Sequence, residues 1–212
     1  MNGHLDHRSS GEVAAARADP MTPLRRDALE NRERILEEAR RLFAESGIEA
    51  VSMHRIAKAA GVGQATLYRH YAHKGDVCRD LMGESAERAR GEIEAFLRES
   101  EGQPALDRLD GVIARVVVFI EEKLPYLAAI GEACAGEYRM TKYRLPAYRQ
   151  LHGIIAALLD DAQAEGAIPP TDVTFRTDAL LAALSPDMYQ YQREERGLSR
   201  QQIVEGVRGL YR

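Results

Sequence analysis

Apolar side chains recur along this chain at the spacing of helices. From Glu30 onward Ile35, Leu36, Ala39, Leu42 and Phe43 fall at i, i+1, i+4, i+7 and i+8, one face of an amphipathic helix that Gly47 is placed to end. Ser52 then offers a hydroxyl to the free N–H groups of a second, short helix, whose buried side is Met53, Ile56, Ala57 and Ala60. Gly61 stops that helix. Val62-Gly63-Gln64 leads into a third from Ala65 to Tyr71, and a long fourth starts near Lys74 and runs toward Ser100. After Gly102, Pro104 suits a first turn, an apolar run extends from Leu109 to Leu124, and Pro125 is read as opening another segment. Further helices are predicted from Pro146 to about Glu165, from a cap at Thr171 or Asp172, and from Leu198 to Tyr211. Pro186 falls inside the helical pattern after Asp178 and predicts a kink or a break there. With no alternating β-branched run, and so no pair of strands for an Asn-Gly turn to join, the fold class is all-α.

Composition narrows the function. The chain has 212 residues, 45% of them hydrophobic, with two Cys and no Trp, enough to bury a core without disulfides or a structural metal. Cys78 and Cys134 stand far apart, which fits a reducing cytoplasm. Val112 to Ile120, the longest apolar stretch, is interrupted by Arg115 and is too short for a bilayer, so no membrane partner is expected. The first residues lack the apolar region of a secretory signal. Residues 1–23, small and polar, read as a flexible arm. Arg25 and Arg26 at its end read as a solvated pair, with a minor-groove contact as the alternative.

The net charge of −4 argues against a nucleic-acid partner only until it is counted by segment. Leu24 to Met82 holds 11 Lys and Arg against 9 Asp and Glu, whereas residues 83–212 hold 16 against 21. Within the basic block, Ile56-Ala57-Lys58-Ala59-Ala60-Gly61-Val62-Gly63-Gln64-Ala65-Thr66-Leu67 has what a helix-turn-helix requires. Ala57 permits close helix approach, Gly61 can take the positive φ of the turn, and Val62 and Leu67 supply apolar contacts beneath. An ordinary helical hairpin would share that spacing. The following Tyr68-Arg69-His70-Tyr71-Ala72-His73-Lys74 is too rich in donors for a core and suits phosphate oxygens. Gln64, Thr66 and Arg69 are candidates for base edges, and Ala65 or Thr66 for a thymine methyl. Tyr71 reads instead as a core aromatic holding the third helix on the first.

Residues 31–82 resemble the DNA-binding domain of the tetracycline-repressor (TetR) family of bacterial transcriptional regulators. The first helix, from Asn31 to Gly47, is similar to that family's first. Val51-Ser52-Met53-His54-Arg55-Ile56-Ala57 with Ala60-Gly61-Val62 resembles its second helix and turn, and Ala65-Thr66-Leu67-Tyr68-Arg69-His70-Tyr71 with Lys74 and Asp76 its recognition helix and the start of its fourth. The resemblance implies an all-helical homodimer with a helix-turn-helix DNA-binding domain at 24–78 and a helical effector-binding and dimerisation domain at 79–212. By the same resemblance Ser52 caps the second helix near a phosphate, Gln64, Ala65, Thr66 and Arg69 face the groove, and Tyr68, His70 and Lys74 touch the DNA backbone. Arg55 stands where an acidic residue is common and either adds a DNA contact or loses a cap. Gly63 replaces a frequent Ser and removes a capping hydroxyl.

Partners implied are double-stranded DNA carrying a palindromic operator, a second copy of the chain and a small-molecule effector, with no cofactor. Effector candidates on the C-terminal helices are Arg115, Phe119, Tyr126, Glu132, Tyr138, Tyr148, Phe175 and Tyr189, although aromatic residues at helical spacing are more often plain core. Arg115 and Glu132, charged on apolar segments, are expected to pair with each other or with an effector. Ala179 to Leu184, with Leu198 to Leu210, reads as the dimer interface. A constitutive DNA-binding regulator is one alternative. An enzyme with a structural helix-turn-helix is another, disfavoured because no phosphate loop, nucleophile elbow or His-Glu-x-x-His pair occurs. A metal site from His70, His73 and Cys78 would occupy the DNA face and is not expected.

Overall fold

The computed structural model describes residues 23–133 and 143–212, with side chains from Arg26 onward. The described residues form nine helices: α1 (Pro23–Ser46), α2 (Met53–Ala59), α3 (Gln64–His70), α4 (Lys74–Glu99), α5 (Ala105–Ala133), α6 (Pro146–Ala164), α7 (Val173–Ala183), α8 (Pro186–Glu194) and α9 (Arg200–Arg208). Most of the arm predicted over 1–23, together with Cys134 and Tyr138, lies outside the described residues. α1 begins at Pro23, seven residues before its apolar period does. Proline pre-sets φ for a first turn, and the exposed opening turns carry an Arg26–Glu30 pair at 3.8 Å. No helix among the described residues is long and apolar enough to cross a membrane.

Side chains at α-helical spacing close two cores. The first joins Ile35, Ala39, Leu42 and Phe43 of α1 to Val51, Ile56, Leu67, Val77 and Cys78. The second is built around α5, whose Leu109, Val112, Ile113, Val116, Val117 and Ile120 form one continuous buried face. Around that face pack α4, α6, α8 and α9, while α7 lies on α6 and α8.

One sequence expectation needs correction. Pro125 does not open a new helix; α5 runs straight through it. A proline within a helix removes one N–H bond and crowds the carbonyl four residues earlier, here that of Glu121. The ring is exposed, so water can satisfy the freed carbonyl. The turns beyond it change partners: Ala129, with half-buried Tyr126 and Ile130, completes the first core, and the Phe43 and Tyr126 rings meet edge to face at 6.2 Å. The apolar run from Ala179 to Leu184 is divided between two sides, with Ala179 and Ala182 exposed. Leu180, Leu181 and Leu184 are buried in the second core, as are Ile203 and Val207 of α9. Pro186 gives a full break, with Ser185 accepting from the Met188 N–H to cap α8.

α4 and α5 approach most closely at Gly75. A methyl group there would lie 2.4 Å from the Ala133 Cβ and 2.5 Å from the Ala129 carbonyl oxygen. At the opposite end, the Glu165 carboxylate accepts the Ala105 N–H that begins α5.

The chain's last residues are fastened to the start of α5 by a carboxylate. Asp110 accepts from the Tyr211 hydroxyl at 2.5 Å and from Arg212 at 2.6 Å, and pairs with Arg208 at 3.0 Å. Burial pushes the Asp110 carboxyl up, but hydrogen bonds from Tyr211, Arg212 and Arg208 outweigh it and hold the group below its ordinary value. Stability from this cluster is therefore fully present above the unfolded aspartate pKa of about 3.9 and is lost as pH falls through the lower folded value. Asp110→Asn is expected to cost about 1.5–3 kcal/mol near neutral pH. In thermal melts from pH 7 to pH 2, the gap between wild type and variant closes in the acid range; a gap independent of pH would assign the loss to packing.

Candidate nucleic-acid interface

The reader is built by capping at both ends of its short helices. Ser52 Oγ accepts the Arg55 N–H at 3.2 Å and starts α2, as expected. At the far end Gly61 N–H donates to the Lys58 carbonyl and Val62 N–H to that of Ala57, a Schellman closure with Gly61 at φ 63°. A Cβ on Gly61 would meet nothing within 4 Å, so only the positive φ calls for glycine. Gly63 begins α3 without a side-chain cap.

α3 then divides by face. Leu67 is fully buried beneath it, while Gln64, Ala65, Tyr68 and Arg69 point outward and Thr66 and His70 are half-buried. Tyr68 is 52% exposed, unusual for so large an apolar body. Tyr71, one turn after Leu67, is 5% exposed, and its hydroxyl donates to Asp80 at 2.6 Å. Arg32 of α1 reaches the same carboxylate at 2.9 Å. Burial first, then the Asp80 carboxylate, raises the Tyr71 phenol well above its ordinary value. This cluster ties α1, the end of α3 and α4 together and fixes how far α3 stands out.

Several predicted DNA donors have partners inside the chain. Lys74 Nζ donates to the Ile48 carbonyl at 2.8 Å, with that of Glu49 at 3.4 Å, which fastens α4 to the loop after α1. Arg55 donates to Ser46 Oγ at 3.1 Å. The Gln64 amide pairs with the His54 ring, so His54 of α2 stands beside the first residue of the recognition helix. The sequence reading did not single out His54; its pairing crosses the turn over ten residues, and no local pattern marks it. Cys78 is buried, and burial pushes its thiol up to about 11, unlike a metal ligand. Among the described residues no three His, Cys, Asp or Glu side chains gather as a metal would require.

The effector candidates do not form one site. Arg115 lies 3.9 Å above the Phe96 ring and donates to the Gly111 carbonyl, while Glu132 is exposed, so the two are not paired. Arg115 and Phe119 line an α4–α5 cavity of about 320 Å³, and Tyr126 lines an adjoining one of about 390 Å³. Tyr189 is buried in the second core, Tyr148 packs against Tyr143 at 5.2 Å, and Phe175 is 73% exposed on α7.

Comparisons with known proteins agree with this geometry. Residues 35–81 match the family model described as bacterial regulatory proteins, tetR family. An HTH-type transcriptional regulator of Staphylococcus aureus strain MRSA252 is 33% identical over 181 residues, covering 83% of this chain and 89% of that protein. Thermus thermophilus FadR, a TetR family transcriptional repressor solved with lauroyl-CoA, superposes with a TM-score of 0.66 at 20% identity, over 85% of this chain and 92% of that one. AibR, solved with isovaleryl coenzyme A and operator DNA, gives 0.56 at 22% identity, over 85% and 97%.

Proposed function

Because the chain belongs to the TetR family and is a DNA-binding transcriptional regulator rather than an enzyme, we propose that it is a homodimeric repressor that a small-molecule effector releases from a palindromic operator. The observation that carries this reading is the outward face of α3. Gln64, Ala65, Tyr68 and Arg69 are all exposed on a helix whose inner side is closed by Leu67. Arg69 and the Gln64 amide suit base edges, and Tyr68 and His70 suit phosphates. Residues 24–78 act as the reader and 79–212 as the effector and dimerisation part.

A second copy is supported by α7 and α8. Phe175, Ala179 and Ala182 share an exposed face of α7, and Met188 and Tyr191 are exposed on α8, more apolar surface than a lone chain gains from leaving in water. Symmetry then sets two α3 helices about 34–36 Å apart, one turn of duplex. The acyl-CoA ligands of the two solved neighbours support effector control. An effector releases DNA by favouring a dimer shape with the wrong separation, and about 1–3 kcal/mol of coupling is typical.

Selection from random duplex DNA tests the reading, with wild type beside Phe175→Glu and both checked by sedimentation. Wild type is expected to sediment as a dimer and enrich a two-half palindrome; Phe175→Glu is expected to be monomeric and to lose the enrichment. A dimeric Phe175→Glu with the same operator would reject this interface, and the absence of a palindrome would reject the symmetric reader.

A further inference from the structure

The cleft between α4 and α5 consists of two adjoining cavities that share Ser85, Arg88 and Lys123. The larger, about 390 Å³, opens where α1 meets them, and Arg40 of α1 completes its wall. The smaller, about 320 Å³, continues along Ala89, Ala114, Val118 and Phe119. Together they are within the size range of small-molecule sites.

Charge distinguishes the two. Several arginines of this chain meet carboxylates: Arg32 with Asp80, Arg41 with Glu38 and Glu45, Arg90 with Glu87 and Glu94, Arg208 and Arg212 with Asp110. Among the described residues Arg40 and Lys123 make no ion pair, and Arg88 reaches only Ser85 Oγ at 3.1 Å and Glu84 at 3.9 Å. The larger cavity thus gathers three cations from three helices against Glu84 alone. The smaller adds Arg115 but also Glu92 and Glu122, beside its apolar wall.

We propose that this cleft binds a soluble phosphate-bearing amphiphile, its phosphate held by Arg40, Arg88 and Lys123 and its apolar body lying along Val118 and Phe119. A dianion relieves the mutual repulsion of the three cations, and Glu92 and Glu122 disfavour the reversed orientation. The position gives binding a consequence. Arg40 belongs to the reader, and Lys123 stands two residues before Pro125, where α5 passes from the second core to the first. A phosphate bridging both fixes the reader against α5, so ligand and operator alter each other's affinity by the same factor. That consequence rests on the effector reading above; the site itself does not.

Titration calorimetry of the full chain with hexyl phosphate, inorganic phosphate and 1-hexanol tests the site. Hexyl phosphate is expected to bind roughly tenfold or more tightly than either fragment, since burying two methylenes suffices for that factor. Arg40→Gln and Lys123→Gln are each expected to weaken it about fivefold or more, with unchanged melting temperature, while the ion-paired neighbour Arg41→Gln leaves it unaltered. Equal binding by all three variants, or hexyl phosphate no tighter than inorganic phosphate, overturns the proposal. Binding lost in both cleft variants but without effect on operator affinity keeps the site and rejects its part in release.

Discussion

Tyr68→Ala is expected to abolish operator binding while leaving the protein as stable as before. The Tyr68 ring is half-exposed on α3, so its removal changes folding stability by no more than about 0.5 kcal/mol. In a dimer the loss on DNA is counted twice. A hydrogen bond to a charged phosphate contributes about 1.5–3 kcal/mol, so two half-sites lose about 3–6 kcal/mol, roughly 100-fold or more in affinity. Tyr71→Ala supplies the contrast three residues on. It removes a buried ring and the hydroxyl that Asp80 accepts beside Arg32, and about 3–5 kcal/mol of stability goes with it. Fluorescence anisotropy on the selected operator and urea unfolding separate the two effects. A Tyr68→Ala protein that unfolds early, or that keeps its operator affinity, would show that this face is not the reader.

Gly75→Leu is expected to be the most damaging single change at the joint between the two cores. Glycine in a helix costs about 1 kcal/mol relative to alanine, so at an open site a larger residue would stabilise. Here the first added carbon already meets the Ala133 Cβ and the Ala129 carbonyl oxygen at 2.4 and 2.5 Å. One of those atoms is backbone and cannot turn aside. Overpacking costs about 1–3 kcal/mol, so Gly75→Ala nets a loss of up to about 2 kcal/mol, and leucine, with three further carbons, exceeds about 3 kcal/mol. Ala133→Gly on top of Gly75→Ala should restore part of the stability, because it removes the nearest atom but not the Ala129 carbonyl. Urea midpoints of the single and double variants measure this. Full rescue, or none, would mean that α4 and α5 do not meet as described.

Much of the reader was legible because its signals are local. A hydroxyl at Ser52, a glycine needing positive φ at Gly61 and a buried Leu67 act within four residues along the chain, and the same holds for the cap expected at Thr171 or Asp172, which falls on Asp172. The face of α3 followed from Leu67 alone, since helical spacing sets which neighbours oppose a buried residue. Pro125 was misread for the complementary reason. Whether a proline ends a helix depends on whether its ring and the freed carbonyl can face water, and only the packing of α5 decides that. The run from Ala179 to Leu184 was legible only in part: periodicity shows that a face must be covered, and packing decided that Leu180, Leu181 and Leu184 are covered by the same chain while Ala179 and Ala182 are exposed.

The sequence by itself determined the all-helical class, the caps at Ser52 and Gly61 and the outward side of α3, because backbone bonding and side-chain spacing act over one or two turns. Only the tertiary structure decided that Lys74 is turned onto Ile48, that His54 stands against Gln64, that Tyr71 joins Arg32 through Asp80, and that Arg40, Arg88 and Lys123 share one cleft. Those contacts join residues from 9 to more than 80 positions apart. Their distances are set by how whole helices pack, which depends on every core side chain at once.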